Sequence, residues 1–289
     1  MYALTGKSYY DNIAQCTVAM IVNDMATLGA LPVSVAMHLA VGTSDWFNDA
    51  KRSGDLITGW KNACNLARCT WGGGETPTLK GVVVPEAVVL SGSAIGVVQP
   101  ESYLIMDKIQ HGDAIVIIES SGIHANGLTL ARKIADKLPE KYLTKLPDGR
   151  SYGETLLDPT HIYVGLVEDC LNENVDIHYA VNVTGHGWRK LMRSTHPFTY
   201  VVEQLPKQLP IFDFLQLHGH VDDLEAYGNL NMGAGFVLYV AEADVEKVLE
   251  VAKSLNLGAF VGGHVEKGDK KVVIKPKNLE YAAETLAVR

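Results

Sequence analysis

Residues 120–127 read SSGIHANG, a loop of small polar residues between the apolar run AIVIIES (114–120) and the amphipathic stretch LTLARKIADKL (128–138). A strand that empties through such a loop onto a helix start gathers unpaired backbone N–H groups and the positive end of the helix dipole, which suits a phosphate. Ser121, Gly122, Asn126 and Gly127 are the candidate contacts, the glycines because backbone can approach a ligand there and Asn126 because its amide donates and accepts. His124 adds an imidazole that can donate or accept a hydrogen bond at the same place. A plain strand-to-helix turn with Asn126 as its N-cap would use the same residues.

Other turns carry similar chemistry. VNDM (22–25) sets Asn23 and Asp24 in an otherwise apolar helix, where a buried carboxylate needs a cation or donor; a solvated helix face is the alternative. In GGGET (72–76), Gly73 and Gly74 let backbone lie against a polyphosphate, Thr76 adds a hydroxyl, and Glu75 can meet a hard cation such as Mg²⁺ through oxygen. As a bare pattern it is only a glycine turn with an exposed acid. VTGHGW (183–188) supplies Thr184, Gly185 and Gly187 between a strand and a helical piece, and NLNMGAG (229–235) supplies Asn231 and Gly233 at the entrance to another strand. Four such turns over both halves of the chain exceed what punctuation requires. The P-loop, the dinucleotide fingerprint and the G-x-S-x-G elbow are all missing, so ATP, if used, is held by another architecture.

The elements that must position these residues alternate. A helix is predicted over 12–28 with Asp11 as cap and Gly29 as stop, a strand over 33–41, a helix from about 48 to 67, and a strand over 87–98. A polar turn at 106–113 leads into the strand at 114–120, and composition resets there, which places a domain boundary near 105. Helices at 127–138 and 162–173, a strand at 177–185 and helical pieces near 187–193 and 211–228 follow. A strand at 233–241, a helix at 244–255 and a closing hairpin over 259–275 complete a two-domain α/β (α+β) chain. The strands VSVAMHLAV and AVVLSGSAIGVV are apolar at nearly every position, which predicts a homodimer formed through the first domain.

A formal charge of −8 over 289 residues argues against nucleic acid as a partner. The N-terminus has no signal-peptide core and no apolar run approaches membrane length, so the expectation is a cytoplasmic protein with no membrane partner. Cys16, Cys64, Cys69 and Cys170 form no C-x-x-C pair and read as reduced thiols; His218 and His220 read as turn residues.

Taken in order, VAMIVNDMATLGALP (18–32), GGGET, SGSAIGVV (91–98), SSGIHANGLTLARK (120–133), LLDPTHIYV (156–164), VTGHGW, IFDFLQLHGHVDDLEAYGNLNMGAG (211–235) and VGGHVEKG (261–268) resemble the aminoimidazole ribonucleotide synthetase family, also called phosphoribosylformylglycinamidine cyclo-ligase, of the PurM-like superfamily. The resemblance covers almost the whole chain. It implies an ATP-binding and dimerisation domain over 1–105, whose strands pair across a homodimer into a barrel-like sheet, and an α/β domain over 106–289. It implies ATP and Mg²⁺ as cofactors and a phosphorylated ribonucleotide as substrate: ATP phosphorylates the formyl oxygen of formylglycinamidine ribonucleotide, the amidine nitrogen attacks, and phosphate leaves. Asp24 and Glu75 would then hold Mg²⁺ and act with His124 in catalysis, the remaining residues above binding nucleotide and substrate.

Three departures stand beside it. The family has a segment resembling D-G-V-G-T-K before the first helix, which this chain is expected to begin too late to contain, TGK at 5–7 looking like the stretch after it. Its H-I-T-G-G-G is here NVTGHG, with Asn182 for the first histidine and His186 for the middle glycine; Cys16 stands where an aspartate is usual. An N-terminally incomplete enzyme, a paralogue with a different phosphorylated substrate and a non-catalytic nucleotide-binding dimer subunit are the alternatives. Selenophosphate synthetase and thiamine-phosphate kinase fit less well, because Glu75 stands where they tend to have aspartate.

Overall fold

The computed structural model describes residues 1–286. They divide into two compact units, Met1–Tyr103 with Pro159–Gly165, and Leu104–Asp158 with Leu166 onward. Among the described residues no helix is long and apolar enough to cross a membrane.

The first unit contains α1 (Tyr2–Thr5), α2 (Tyr10–Ala26), β1 (Leu31–Val41), α3 (Ala50–Leu66), β2 (Thr70–Glu75) and β3 (Val88–Val97). Its sheet has the order β2-β1-β3, with β1 parallel to β2 and antiparallel to β3. Ala14, Val18, Val22 and Ala26 repeat every four residues along α2 and are all buried, which is the stripe a helix must hide. The covered face of β3 is glycine-bearing: a Cβ at Gly92 would meet Ile21 Cδ1 at 2.9 Å and Trp60 Cη2 at 3.2 Å, and one at Gly96 would meet Met25 Cε at 2.4 Å. The alternate β3 residues, Val89, Ser91, Ser93, Ile95 and Val97, are exposed.

Two local expectations change here. Asp11 lies inside the first turn of α2 and Tyr9 takes the cap position, Tyr10 being held edge-on to Trp46 at 5.6 Å; the helix ends at Ala26, before Gly29. The acid still complements the helix dipole from the first turn. TWGGGE, expected as a free glycine turn, is the edge strand β2, in register with β1 from Ser34↔Thr70 to His38↔Glu75. The glycines are needed for that approach, since a Cβ at Gly72 would lie 2.0 Å from Ser34 Oγ and one at Gly74 1.9 Å from the Met37 carbonyl oxygen.

From Leu104 onward the chain forms β4 (Ala114–Glu119), α4 (Leu128–Lys137), α5 (Tyr152–Thr155), α6 (Val164–Asn172), β5 (Ile177–Asn182), β6 (Phe198–Val202), α7 (Pro210–Gly219), α8 (Asp223–Asn229), β7 (Ala234–Val240), α9 (Val245–Ser254), β8 (Ala259–Lys267), β9 (Lys271–Ile274) and β10 (Leu279–Ala282). The seven strands of the second unit run in the order β10-β9-β6-β8-β4-β7-β5. Ile115, Ile117, Trp188, Tyr200, Phe212 and Tyr239 anchor its core. The expected closing hairpin does not form. β6 lies between β8 and β9, antiparallel to the first and parallel to the second. β6 is buried over Thr199–Val202, and a β8–β9 hairpin would leave its backbone polar groups unpaired in the core. The stretch 211–228 is broken into α7 and α8 by His220, which is left-handed at φ 54°.

Candidate functional site

The register Glu119↔Ala234 and Asn182↔Phe236 brings the C-terminal ends of β4 and β5 and the N-terminal end of β7 to one end of the seven-stranded sheet. Three of the sequence-identified turns therefore meet: 120–127 after β4, 183–187 after β5 and 230–233 before β7. Asn231, 1 % exposed, holds them. Its Nδ2 donates to the Gly122 carbonyl at 2.9 Å, and its Oδ1 accepts from Ser120 Oγ at 3.2 Å and from the Gly233 N–H at 3.0 Å. Its own carbonyl accepts from Trp188 Nε1 at 2.9 Å. Gly233, at φ 97°, returns a carbonyl to the Ser120 N–H at 2.7 Å.

Within 120–127 the backbone turns left-handed at His124 (φ 50°), Ala125 (φ 54°) and Gly127 (φ 70°). The His124 ring is buried and its Nε2 accepts from the Ser121 N–H at 3.0 Å, with Ser121 Oγ also at 3.0 Å. An Nε2 that accepts from a backbone N–H carries no proton, which assigns the ring proton to Nδ1. Asn126 is not the helix cap; Gly127 holds that position, and Asn126 Nδ2 donates back to the His124 carbonyl at 2.7 Å. Asn126 Oδ1 is left toward the neighbouring loop, 3.6 Å from where a Cβ on Gly185 would stand. α4 then starts with its first-turn N–H groups at this end of the sheet.

The 183–187 turn is closed by the Gly187 N–H donating to the Thr184 carbonyl at 2.7 Å. Gly187 sits at φ 51°, where a Cβ would lie 2.2 Å from the Tyr227 carbonyl oxygen. Gly185 is exposed and His186 half-buried. Burial, with the positive charges of Arg189, Arg193 and Lys190, holds the His186 imidazole below its usual pKa. Two features escaped the reading of the sequence. Lys190, buried, donates Nζ to the Asn182 carbonyl at 3.0 Å and to Thr184 Oγ1. Arg150 forks Asp158 (Nη1–Oδ2 2.9 Å, Nη2–Oδ1 2.5 Å), and Asp158 Cβ lies 3.3 Å from where a Cβ on Gly122 would stand. The LLDPTHIYV stretch carried a signal for Asp158; a lone lysine after VTGHGW carried none.

The remaining candidates belong to the first unit. Asn23 is 1 % exposed and committed to backbone: Nδ2 donates to the His161 carbonyl and Oδ1 accepts from the Tyr163 N–H, both at 2.9 Å. Asp24 is exposed, so the argument from a carboxylate buried in an apolar helix falls; a helix turns each successive residue by about 100°, and the neighbour of a buried Asn23 points outward. Gly73, Gly74, Glu75 and Thr76 are exposed along the edge of the sheet. No group of three acids, histidines or cysteines able to hold a metal occurs among the described residues. Mg²⁺ uses one or two carboxylates, phosphate oxygens and waters; Asp24 on α2 and Glu75 at the end of β2 each present one exposed carboxylate.

Comparison with known proteins adds a lineage to this geometry. The family model described as AIR synthase related protein, N-terminal domain, matches residues 4–98, and its C-terminal domain counterpart matches residues 110–275. The phosphoribosylformylglycinamidine cyclo-ligase of Carboxydothermus hydrogenoformans is 34% identical over 282 residues, covering 92% of this chain and 77% of that protein. The crystal structure of the hydrogenase maturation protein HypE of E. coli superposes with a TM-score of 0.67 at 15% identity, over 96% of this chain and 80% of that one. A HypE solved in complex with ATP gives 0.64 at 18% identity, again over 96% and 80%. At such identities the structures speak for the two-domain fold alone.

Proposed function

The chain belongs to the AIR synthase related protein family, and on that premise we propose that it is a phosphoribosylformylglycinamidine cyclo-ligase, an ATP-dependent enzyme of purine biosynthesis. The observation that carries the reading is the meeting of loops 120–127, 183–187 and 230–233 at one end of the second unit's sheet, latched by Asn231. Backbone donors, the start of α4 and the exposed Gly185 gather there.

ATP transfers its γ-phosphoryl group to the formyl oxygen of formylglycinamidine ribonucleotide, releasing ADP. The amidine nitrogen bonds to the activated carbon, the C–O bond to phosphate breaks, and a proton is lost as the imidazole ring closes. Chemistry of this kind rests on positioning and charge neutralisation. In this chain the N–H groups at the start of α4 and around Gly122 and Gly127 would receive phosphate oxygens. Asn126 and Thr184 would orient the ligand with Gly185 and Gly187, and His124 would act through the Ser121 it fixes. Gly233 and Asn231 hold the loops. Mg²⁺ would supply neutralisation of the triphosphate, and Asp24 and Glu75, the latter with Gly73, Gly74 and Thr76 beside it, would hold it; Asn23 supports α2. The protein works as a homodimer in the cytoplasm on this reading.

The test is the purified chain with ATP, Mg²⁺ and formylglycinamidine ribonucleotide, ADP and aminoimidazole ribonucleotide being measured together. Equal amounts of both products support the reading. ADP formed at the same rate without the ribonucleotide would overturn it. A paralogue with another phosphorylated substrate is the second reading, favoured by the half-buried His186 on the loop; faster turnover with a different ribonucleotide would establish it. ADP binding without turnover on any of them would mark a non-catalytic subunit.

A further inference from the structure

Lys190 is 6 % exposed, and its Nζ lies under the loop that follows β5, donating to the Asn182 carbonyl at 3.0 Å and to Thr184 Oγ1. A lysine ammonium has three donors and no acceptor, so Thr184 Oγ1 must accept in that contact. The threonine hydroxyl has one proton, and it must point away from Lys190. The Thr184 carbonyl is occupied by the Gly187 N–H. Among the described residues, no acceptor takes the Thr184 hydroxyl proton. Thr184 is half-buried, next to the exposed Gly185, on the loop whose other neighbour is Asn126.

A hydroxyl that accepts from a buried cation is polarised, because the cation acts in a medium of low effective dielectric and strengthens the bond the hydroxyl donates onward. It is also pre-oriented, so little rotational freedom is lost when an anion arrives. We propose that Lys190 is a positioning residue: it turns the Thr184 hydroxyl into a fixed, polarised donor aimed at a phosphate or phosphoryl oxygen of the bound ligand. The inference deepens the cyclo-ligase reading and rests on its placement of a phosphorylated ligand at these loops. On this proposal Lys190 acts on that ligand through Thr184, whose Oγ1 is the group that touches it.

Thr184→Val, Thr184→Ser, Lys190→Met, Lys190→Arg and the double variant Thr184→Val/Lys190→Met test it. KM and kcat are measured for ATP and for formylglycinamidine ribonucleotide, with Kd for ADP and for the ribonucleotide by calorimetry and the melting temperature alongside. Thr184→Val and Lys190→Met should each raise KM and Kd for the same one of the two phosphorylated ligands by about 10-fold, the loss expected for one hydrogen bond to a charged group. Thr184→Ser should keep the wild-type value, and Lys190→Arg should recover most of it. The double variant should bind no worse than Thr184→Val alone if Lys190 acts through the hydroxyl. A role confined to folding would lower the melting temperature without separating one ligand from the other. Unchanged Kd for both ligands in Lys190→Met overturns the proposal, as do losses that multiply in the double variant. If the wild type shows no cyclo-ligase turnover, the activity reading fails and the calorimetric constants still decide the role of Lys190.

Discussion

The imidazole of His124 is spent inside its own turn. It is 3 % exposed, and Nε2 takes the Ser121 N–H at 3.0 Å while the residue itself sits left-handed at φ 50°. A direct part in charge stabilisation would make His124→Ala lose about 30- to 1000-fold in rate with its melting temperature unchanged. The geometry predicts the reverse: about 1–2 kcal/mol of stability lost through an orphaned, part-buried N–H, and turnover per folded molecule reduced by less than about 10-fold. Chemical denaturation and single-turnover kinetics on one preparation separate the two. Asn231→Ala should cost more, about 2–4 kcal/mol, because it strands the Gly122 carbonyl, the Ser120 hydroxyl and the Gly233 N–H together. Residues of this loop end were legible in the sequence because glycine, asparagine and threonine between a strand and a helix carry their chemistry in their type. Lys190 was not, since a lysine reads as solvated until the fold turns it inward. The exposure of Asp24 was not legible for the complementary reason, that apolar neighbours along the chain do not fix which side of a helix faces out.

Most strands and helices were legible from periodicity, and the failures fall where non-local pairing decides. TWGGGE has no apolar alternation, yet it pairs with β1 because glycine lets the two backbones close. FTYVV (198–202) is too short to stand out, yet it enters between β8 and β9 and turns an expected hairpin into a crossover. That insertion is tight enough to test. A Cβ at Gly263 would lie 1.8 Å from the Val201 carbonyl oxygen, a backbone atom of a buried strand that cannot step aside. Gly263→Ala should therefore destabilise the second unit by about 3 kcal/mol or more. Gly54, inside α3, has nothing within 4 Å of an added Cβ and no positive φ, and there the same substitution should stabilise by up to about 1 kcal/mol. Urea unfolding followed by tryptophan fluorescence checks both, and equal effects at the two glycines would contradict the pairing of β6 with β8.

Over the whole molecule, acid sensitivity and assembly are the properties that individual elements do not determine. Burial holds the His161 imidazole below its usual pKa near 6.5, and the same residue's carbonyl is tied to Asn23 Nδ2. The unfolded chain therefore takes up that proton first: the stability His161 contributes is complete above about pH 6.5 and is lost as pH falls toward and through the lower folded value. The melting temperature should drop between pH 7.5 and 5.5, and His161→Gln should flatten part of that slope; a variant as acid-sensitive as the wild type would remove His161 from the account. The proposed homodimer would form through the sheet of the first unit. α2 and α3 cover one face, and the other presents Ile95 at 73% exposure, Val89 at 50% and Val97 at 45%, with Val33 at 50% in the bulge of β1 beside them. Apolar side chains gathered on an uncovered sheet face mark a surface that another chain covers, and a twofold axis lets one such face meet its own copy. Ile95→Lys changes that face and leaves the Gly92 and Gly96 side, against which the helices pack, untouched. Light scattering at micromolar concentration should give twice the chain mass for the wild type and the chain mass for Ile95→Lys, with the fold of the variant retained by circular dichroism. A wild-type monomer, or a dimer indifferent to a lysine at position 95, would move the interface off this sheet.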